Sequence, residues 1–452
     1  MIPHNRTLVK GTSGLMNSRD CIQAALQHRI ADRIPFDLGG TAVSGIHVRA
    51  VAGLRERLGL EHKPVKVIES YQMLGEVDDE LKALLGVDTC GVTGPDTMFG
   101  FPNRDWKEFR LPWGQEVLVP GEFNTTIAAD GSLLMYPEGD RSVPPCAKMP
   151  PASFFFDALP RQDPIDENRL VSTDNMEEFQ PVGEGALAYW RRAITAATEP
   201  AGDAAGDRDG EQRAVVATFG GTAFGDIALV PGLHLKHPRG IRDVTEWYLS
   251  TLIRTDYLHS VFEGQCAVAL QTLEKIHSVV GDAVDVVFIC GTDFGAQNSQ
   301  LCSPETFDSL YAPYYKRIND WVHRHTSWKT FKHSCGAVEP LISRFIEAGF
   351  DILNPVQIGA AGMDPKILKE RYGERLVFWG GGVDTQKTLP FGTPGEVKRQ
   401  VLNMCELFSP GGGFVFNTVH NIQADVPVEN IVAMINAVKI FNGEHPLAIK
   451  EG

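Results

Sequence analysis

What this chain lacks narrows its class before any motif is read. No window is long and apolar enough to span a bilayer, and residues 1–17 carry Pro3, His4, Asn5, Arg6, Lys10 and Gly11 where a secretory leader would need an apolar core. A surplus of positive charge is also missing: 42 Lys and Arg stand against 57 Asp and Glu, a formal net charge of −15. Binding a phosphate backbone needs a basic face, so neither nucleic acid nor an anionic membrane is an expected partner. Cysteine is sparse, eight in 452 residues, with no small-scaffold spacing. The expectation is therefore free thiols in a cytoplasmic protein rather than a disulfide framework. There is no G-x-x-x-x-G-K-[ST] phosphate loop, no internal repeat and no heptad pattern.

What is present reads as globular, with 43% hydrophobic and 22% charged residues. Residues 1–17 are expected to be a tail. Ser18 is the expected N-cap of a helix through Gln27, and Arg33–Leu38 the first strand, ending at Gly39-Gly40-Thr41. Between 112 and 160 the pattern changes to short strand-like runs at Val117–Val119, Asn124–Ile127 and Leu133–Tyr136. Asp130-Gly131 is a hairpin signal between the last two, and prolines follow at 144, 145, 150 and 151. This predicts a β-rich insertion over 112–160. Residues 199–213, polar and glycine-rich, read as an exposed loop.

From residue 214 the chain repeats strand, loop and helix. Ala214–Phe219, Val284–Ile289, Lys329–Lys332, Asp351–Asn354, Leu376–Trp379 and Gly413–Phe416 are the expected strands. Ser303-Pro304-Glu305 and Thr393-Pro394-Gly395-Glu396 carry the chemistry of helix starts. Such alternation makes a parallel sheet. So many units without a dinucleotide fingerprint favour a closed (β/α)₈ TIM barrel, an α/β fold forming one domain over 18–452 with the 112–160 insertion.

In such a barrel the carboxyl ends of the strands converge on one mouth. Asp293, His333, Asn354, Gln357, Asp384, Asn417 and His420 all follow strand ends. His333-Ser334-Cys335-Gly336 is the sharpest local signal. Residues two apart on an extended strand point the same way, so His333 and Cys335 can present an imidazole and a thiolate to one metal ion. This pair suits Zn²⁺, whose catalytic sites take three protein ligands. His420, after the last strand, is the favoured third ligand and Cys290 the runner-up. Cys405 reads as core, Cys302 as structural, and Cys21, Cys90, Cys146 and Cys266 have no ligand-like company. Asp293 and Asp384 are candidate catalytic groups. Asn354, Gln357, Asn417 and Gln423 are candidate substrate contacts. The glycine loops at Gly39-Gly40, Gly220-Gly221 and Gly380–Gly382 permit a close ligand approach or a plain turn.

Residues from about Ser18 to Asn442 resemble the uroporphyrinogen decarboxylase superfamily, in particular its cobalamin-linked methyltransferase branch. The resemblance rests on Arg19-Asp20 through Asp32-Arg33-Ile34-Pro35, on Thr330–Gly336, on Ala348–Leu353 and on Gly382-Val383-Asp384-Thr385. Decarboxylases of the superfamily carry an arginine-containing loop for porphyrin carboxylates. Here Asp37–Ser44 has no arginine before Arg49, which disfavours a tetrapyrrole substrate. The methyltransferase branch implies zinc held by H-x-C and a later cysteine; His333 and Cys335 match, whereas the later stretch reads Asn417–Gln423 and offers His420 instead. The implied activity is methyl transfer between a small molecule, such as a methoxylated compound, and a corrinoid (cobalamin) carried by a partner protein. A homodimer is among the expected assemblies. The alternative is a metal-free decarboxylase or lyase acting on a small carboxylate through Asp293 or Asp37.

Overall fold

Seven short runs rich in β-branched and aromatic residues pair side by side in the order in which they occur along the chain. They are Thr89–Val92, Ala214–Ala217, Val286–Cys290, Lys329–His333, Ile352–Asn354, Val377–Trp379 and Phe414–Val415. Every pairing is parallel, so each step from strand to strand needs a crossover. Helices supply it, including Thr255–Val280, Ala312–His325, Glu339–Glu347, Pro365–Tyr372 and Pro394–Phe408. The computed structural model describes residues 16–199, 212–219 and 222–450. The expected tail, nearly all of the 199–213 loop and the Gly220-Gly221 turn lie outside those residues.

The sheet is curled, and one segment reaches both of its edges. Phe36 bridges Phe416 in parallel. The Phe416 N–H donates to Pro35 O and the Asp88 N–H to Phe36 O, each at 2.8 Å. The strand expected over Arg33–Leu38 is reduced to this bridge. Pro35 has no N–H for a ladder, and the chain turns away at Gly39, whose φ of +85° suits glycine.

Strand parity divides the core. Ala214, Val216, Val286, Phe331, Ile352, Val377, Trp379 and Val415 pack together on the concave face. Their neighbours Val215, Ala217, Val287, Ile289, Leu353, Phe378 and Phe414 pack against the helices. Helix Ser18–Leu26 inserts Ile22, Ala25 and Leu26 into the concave cluster. It is tied there by Ser18 Oγ to Asp88 (2.6 Å) and Arg19 Nε to Asp285 (2.9 Å), residues just before two strands. The helix therefore closes the amino-terminal end of the sheet and leaves the carboxyl end for a site. Its cap is Asn17, not Ser18: the Asn17 side chain accepts from Asp20 N–H, and Ser18 turns inward to Asp88.

Residues 116–158 carry strands that lie outside the parallel sheet. Thr125–Ile127, Leu133–Met135, Ala147–Met149 and Asp157–Ala158 pair antiparallel in succession. Glu116–Val119 joins Lys107–Arg110 and Val65–Glu69. Asp130-Gly131 turns the first hairpin, with Gly131 at φ +82°. Ser303 and Thr393 cap their helices through their hydroxyls, and Thr393 with Glu396 completes a reciprocal capping box. Among the described residues no helix is long and apolar enough to cross a membrane.

Candidate metal centre

The same parity that sorts the core selects the site. Phe331 faces the sheet axis, so His333 does too, while Lys332 faces the helices. Asn354 follows Ile352 by two residues and Asn417 follows Val415 by two, so both share the side of His333. Cys335 lies one step beyond the strand. The ligand atoms of His333, Cys335 and His420 all come within 4.8 Å of one another. Cys335 Sγ is 3.5 Å from His333 Nε2, and the two imidazole centroids are 5.6 Å apart.

This donor set fits zinc. Tetrahedral coordination with ordinary Zn–N and Zn–S bonds places a nitrogen and a sulfur about 3.6 Å apart. The tautomer fits as well. His333 Nδ1 lies 2.6 Å from Asn354 Oδ1, while Asn354 Nδ2 donates to Trp379 O at 2.8 Å. The carbonyl contact fixes the orientation of the amide, so its oxygen must accept from Nδ1–H. The Nε2 lone pair is then free on the Cys335 side. Burial lowers both His333 and His420 to about 4, so both rings are neutral and can act as ligands. Burial and the neighbouring Asp293 push the Cys335 thiol well above its ordinary range. A cation in the cluster would offset that cost and favour the thiolate.

Loop approach sets the cluster. Gly336 has φ +88°, and a Cβ there would lie 2.3 Å from Gly295 backbone atoms. The absence of a side chain lets the 293–296 segment press against 333–336. Asp293 Oδ1 then accepts from Cys335 N–H at 2.6 Å and lies 3.8 Å from His333 Nε2. Burial raises Asp293 above the ordinary carboxylate range, against the pull of that N–H.

The other expected site residues divide between the centre and its supports. Asn354 is fully buried, with both ends of its amide engaged. Gln357 Oε1 accepts from Gly336 N–H at 2.7 Å, and its Nε2 donates to Gln297. Asn417 is buried and donates to Asp37 O at 2.8 Å. Asp384 accepts from Gln386 and Lys387 N–H groups and so closes its own turn. Gln423 is half-buried in the loop after His420. Cys290 is not in the cluster; its thiol donates to Ala223 O at 2.9 Å. Cys405 is core, as its helix position implies. Asp37 is fully buried and accepts from Thr89, Gly40 and Trp379.

Three groups near the centre had no sequence signal. Lys332 is completely buried, donates to Thr292 O and His333 O, and lies 4.9 Å from the Phe294 ring. Asp226 is raised to about 6, mainly by burial and further by Asp293. Tyr248 places its hydroxyl in the interior beside these carboxylates. Only Lys332 could have been suspected, as the one charge in an otherwise apolar strand end.

Curled parallel strands, crossover helices and a buried polar cluster at the carboxyl ends define an α/β protein of the barrel type with a candidate metal centre. The uroporphyrinogen decarboxylase (URO-D) family profile matches residues 265–441, which include the whole cluster. The chain belongs to the uroporphyrinogen decarboxylase superfamily. It is 34% identical over 77 residues to a uroporphyrinogen decarboxylase of Pseudoalteromonas translucida, covering 17% of this chain and 21% of that protein. It is 22% identical over 188 residues to that of Pseudoalteromonas atlantica, covering 39% and 50%. The matched stretches thus span at most half of these curated relatives. A methyltransferase from Methanosarcina mazei shares the fold, with a TM-score of 0.53 at 15% identity, over 94% of this chain and 99% of that one.

Proposed function

We propose that this protein is a zinc-dependent methyltransferase, built as a (β/α)₈ barrel with the Pro35–Asp37 segment in the eighth strand position. It moves a methyl group between a small molecule, of which a methoxylated compound is our choice, and a corrinoid held by a partner protein. The observation that carries this reading is the convergence of His333, Cys335 and His420 ligand atoms within 4.8 Å at the strand carboxyl ends. The M. mazei methyltransferase, which shares the fold, supports the reaction class.

His333, Cys335 and His420 would hold the metal, leaving a fourth position open. When bound, zinc supplies a Lewis acid for the heteroatom that carries or receives the methyl group. The protein's own residues do the rest. Asn354 holds the His333 ring in one tautomer. Gln357 and Asp293 each accept one backbone N–H of the Cys335-Gly336 turn and fix the sulfur. The Asp293 carboxyl, raised by burial, is also the group placed to hold a proton beside the centre. Asp384 shapes the rim through its turn, and Asn417 braces the last strand against Asp37. Asp37 is not available for a metal-free reaction, since both of its oxygens are engaged below the surface.

The test is direct. Purified wild type is expected to hold about one zinc per chain, while His333→Ala and Cys335→Ser lose zinc and methyl transfer from methyl-corrinoid yet stay folded by circular dichroism. Full zinc content and turnover in either variant would remove the metal assignment.

A further inference from the structure

A buried hydroxyl without a partner is costly, because it gives up its bonds to water and gains none. Tyr248 carries such a group: its hydroxyl oxygen is buried and has no hydrogen-bond partner among the described residues. The residue belongs to helix Val244–Ile253. Trp247, its neighbour, packs so closely on Gly225 that a Cβ there would lie 2.2 Å from Trp247 Nε1. This contact locks the helix to the loop that carries Asp226. Asp226 accepts from Ala228 N–H at 3.0 Å, and its other oxygen lies where a Gly291 Cβ would come within 2.4 Å. Gly291 leads directly to Asp293, whose carboxylate holds Cys335 N–H. Helix, loop and metal-site turn therefore form one continuous wall. The phenol feels the charges of Asp293, Asp226 and Cys302, which places all four groups in one neighbourhood.

The wall thus has a donor with nothing to donate to, next to a carboxylate that accepts. We propose that Tyr248 and Asp226 form the specificity-determining corner of the site, taking a substrate hydroxyl that accepts from the Tyr248 phenol and donates to the Asp226 carboxylate. This rests on the methyltransferase reading and adds to it a substrate class: a neutral small molecule with a hydroxyl near the methyl-bearing heteroatom. Neither residue touches the proposed ligand atoms, so both act by positioning.

The experiment compares 2-methoxyphenol with methoxybenzene, which differ only in that hydroxyl. Calorimetric binding is measured on zinc-loaded wild type, Tyr248→Phe and Asp226→Asn, with zinc content and melting temperature read on the same samples. Wild type is expected to prefer 2-methoxyphenol about tenfold, the worth of one well-made hydrogen bond. Both variants are expected to lose the preference while keeping zinc and their affinity for methoxybenzene. Tyr248→Phe is expected to melt at or above the wild-type temperature, because it removes an unpaired group. The proposal is overturned by a wild type that binds neither probe or does not discriminate, by an undiminished preference in Tyr248→Phe, or by a clearly lowered melting temperature in that variant. A wild type that takes up no zinc defeats the parent reading instead. The probe and melting comparisons are then run on the metal-free protein and decide the corner by themselves.

Discussion

An imidazole is a metal ligand only if its lone pair points at the metal and its other nitrogen is accounted for. His333 meets both conditions through Asn354. His420 meets the first by position, near His333 and neutral through burial. If His420 is the third ligand, His420→Ala loses tight zinc, and His420→Cys, which restores a thiolate at that place, regains it. If it only contacts substrate or orients another group, His420→Ala keeps stoichiometric zinc and loses turnover, with an effect of about 10–100-fold. Zinc measured on both variants after gel filtration separates the cases, and tightly held zinc in His420→Ala would sink the ligand assignment. The His333–Cys335 pair was legible because a two-residue spacing on a strand has one geometric meaning. Asp226 and Tyr248 were not legible. They come from a loop and a helix with no motif, and only the packing of Trp247 on Gly225 brings them to the centre.

Among the secondary-structure elements, legibility followed local chemistry. The Thr393 capping box and the Ser303-Pro304 start needed only neighbouring residues, and both are formed. Asn17 displaced Ser18 as a cap because Ser18 has a distant partner in Asp88, which no local pattern announces. The first strand was overcalled for a related reason: its apolar residues are core, but a proline and a positive-φ glycine bound it so closely that one bridge remains. Contact between loops is likewise invisible in sequence, and Gly336 depends on it. Gly336→Ala would combine an unfavourable positive φ with a clash against Gly295 backbone. We expect it to cost about 1–3 kcal/mol of stability and to weaken zinc binding by displacing Cys335. Urea unfolding and competitive zinc titration measure the two effects. Unchanged zinc affinity in a destabilised variant would show that the Asp293–Cys335 contact does not set the ligand geometry.

For the molecule as a whole, the question is what holds the two edges of the curled sheet together, because the site needs residues from His333 to His420 to face one another. Asp37 stands at that junction. Its backbone N–H donates to Phe416 O, its carbonyl accepts from Asn417, and its carboxylate accepts from Thr89 (2.6 Å), Gly40 (3.0 Å) and Trp379 (2.8 Å). Removing the carboxylate leaves three donors short of an acceptor, so Asp37→Ala should cost on the order of 3 kcal/mol. Asp37→Asn keeps one oxygen and turns an N–H toward one of the donors, so its cost should fall between that of Asp37→Ala and zero. The pH dependence gives a second reading. Burial raises the Asp37 pKa above 3.8, its value in the unfolded chain. Above the raised value both states are ionised and the native state bears the desolvation cost. As pH falls through it, the native state takes up a proton that the unfolded state does not yet hold, so Asp37 makes stability rise as pH drops toward 3.8. Asp37→Asn is neutral throughout and should remove that contribution. Urea unfolding of the wild type and both variants across this range checks order and slope together. An Asp37→Ala protein as stable as wild type, or an Asp37→Asn protein with an unchanged pH slope, would show that the sheet edges are held together by backbone pairing alone.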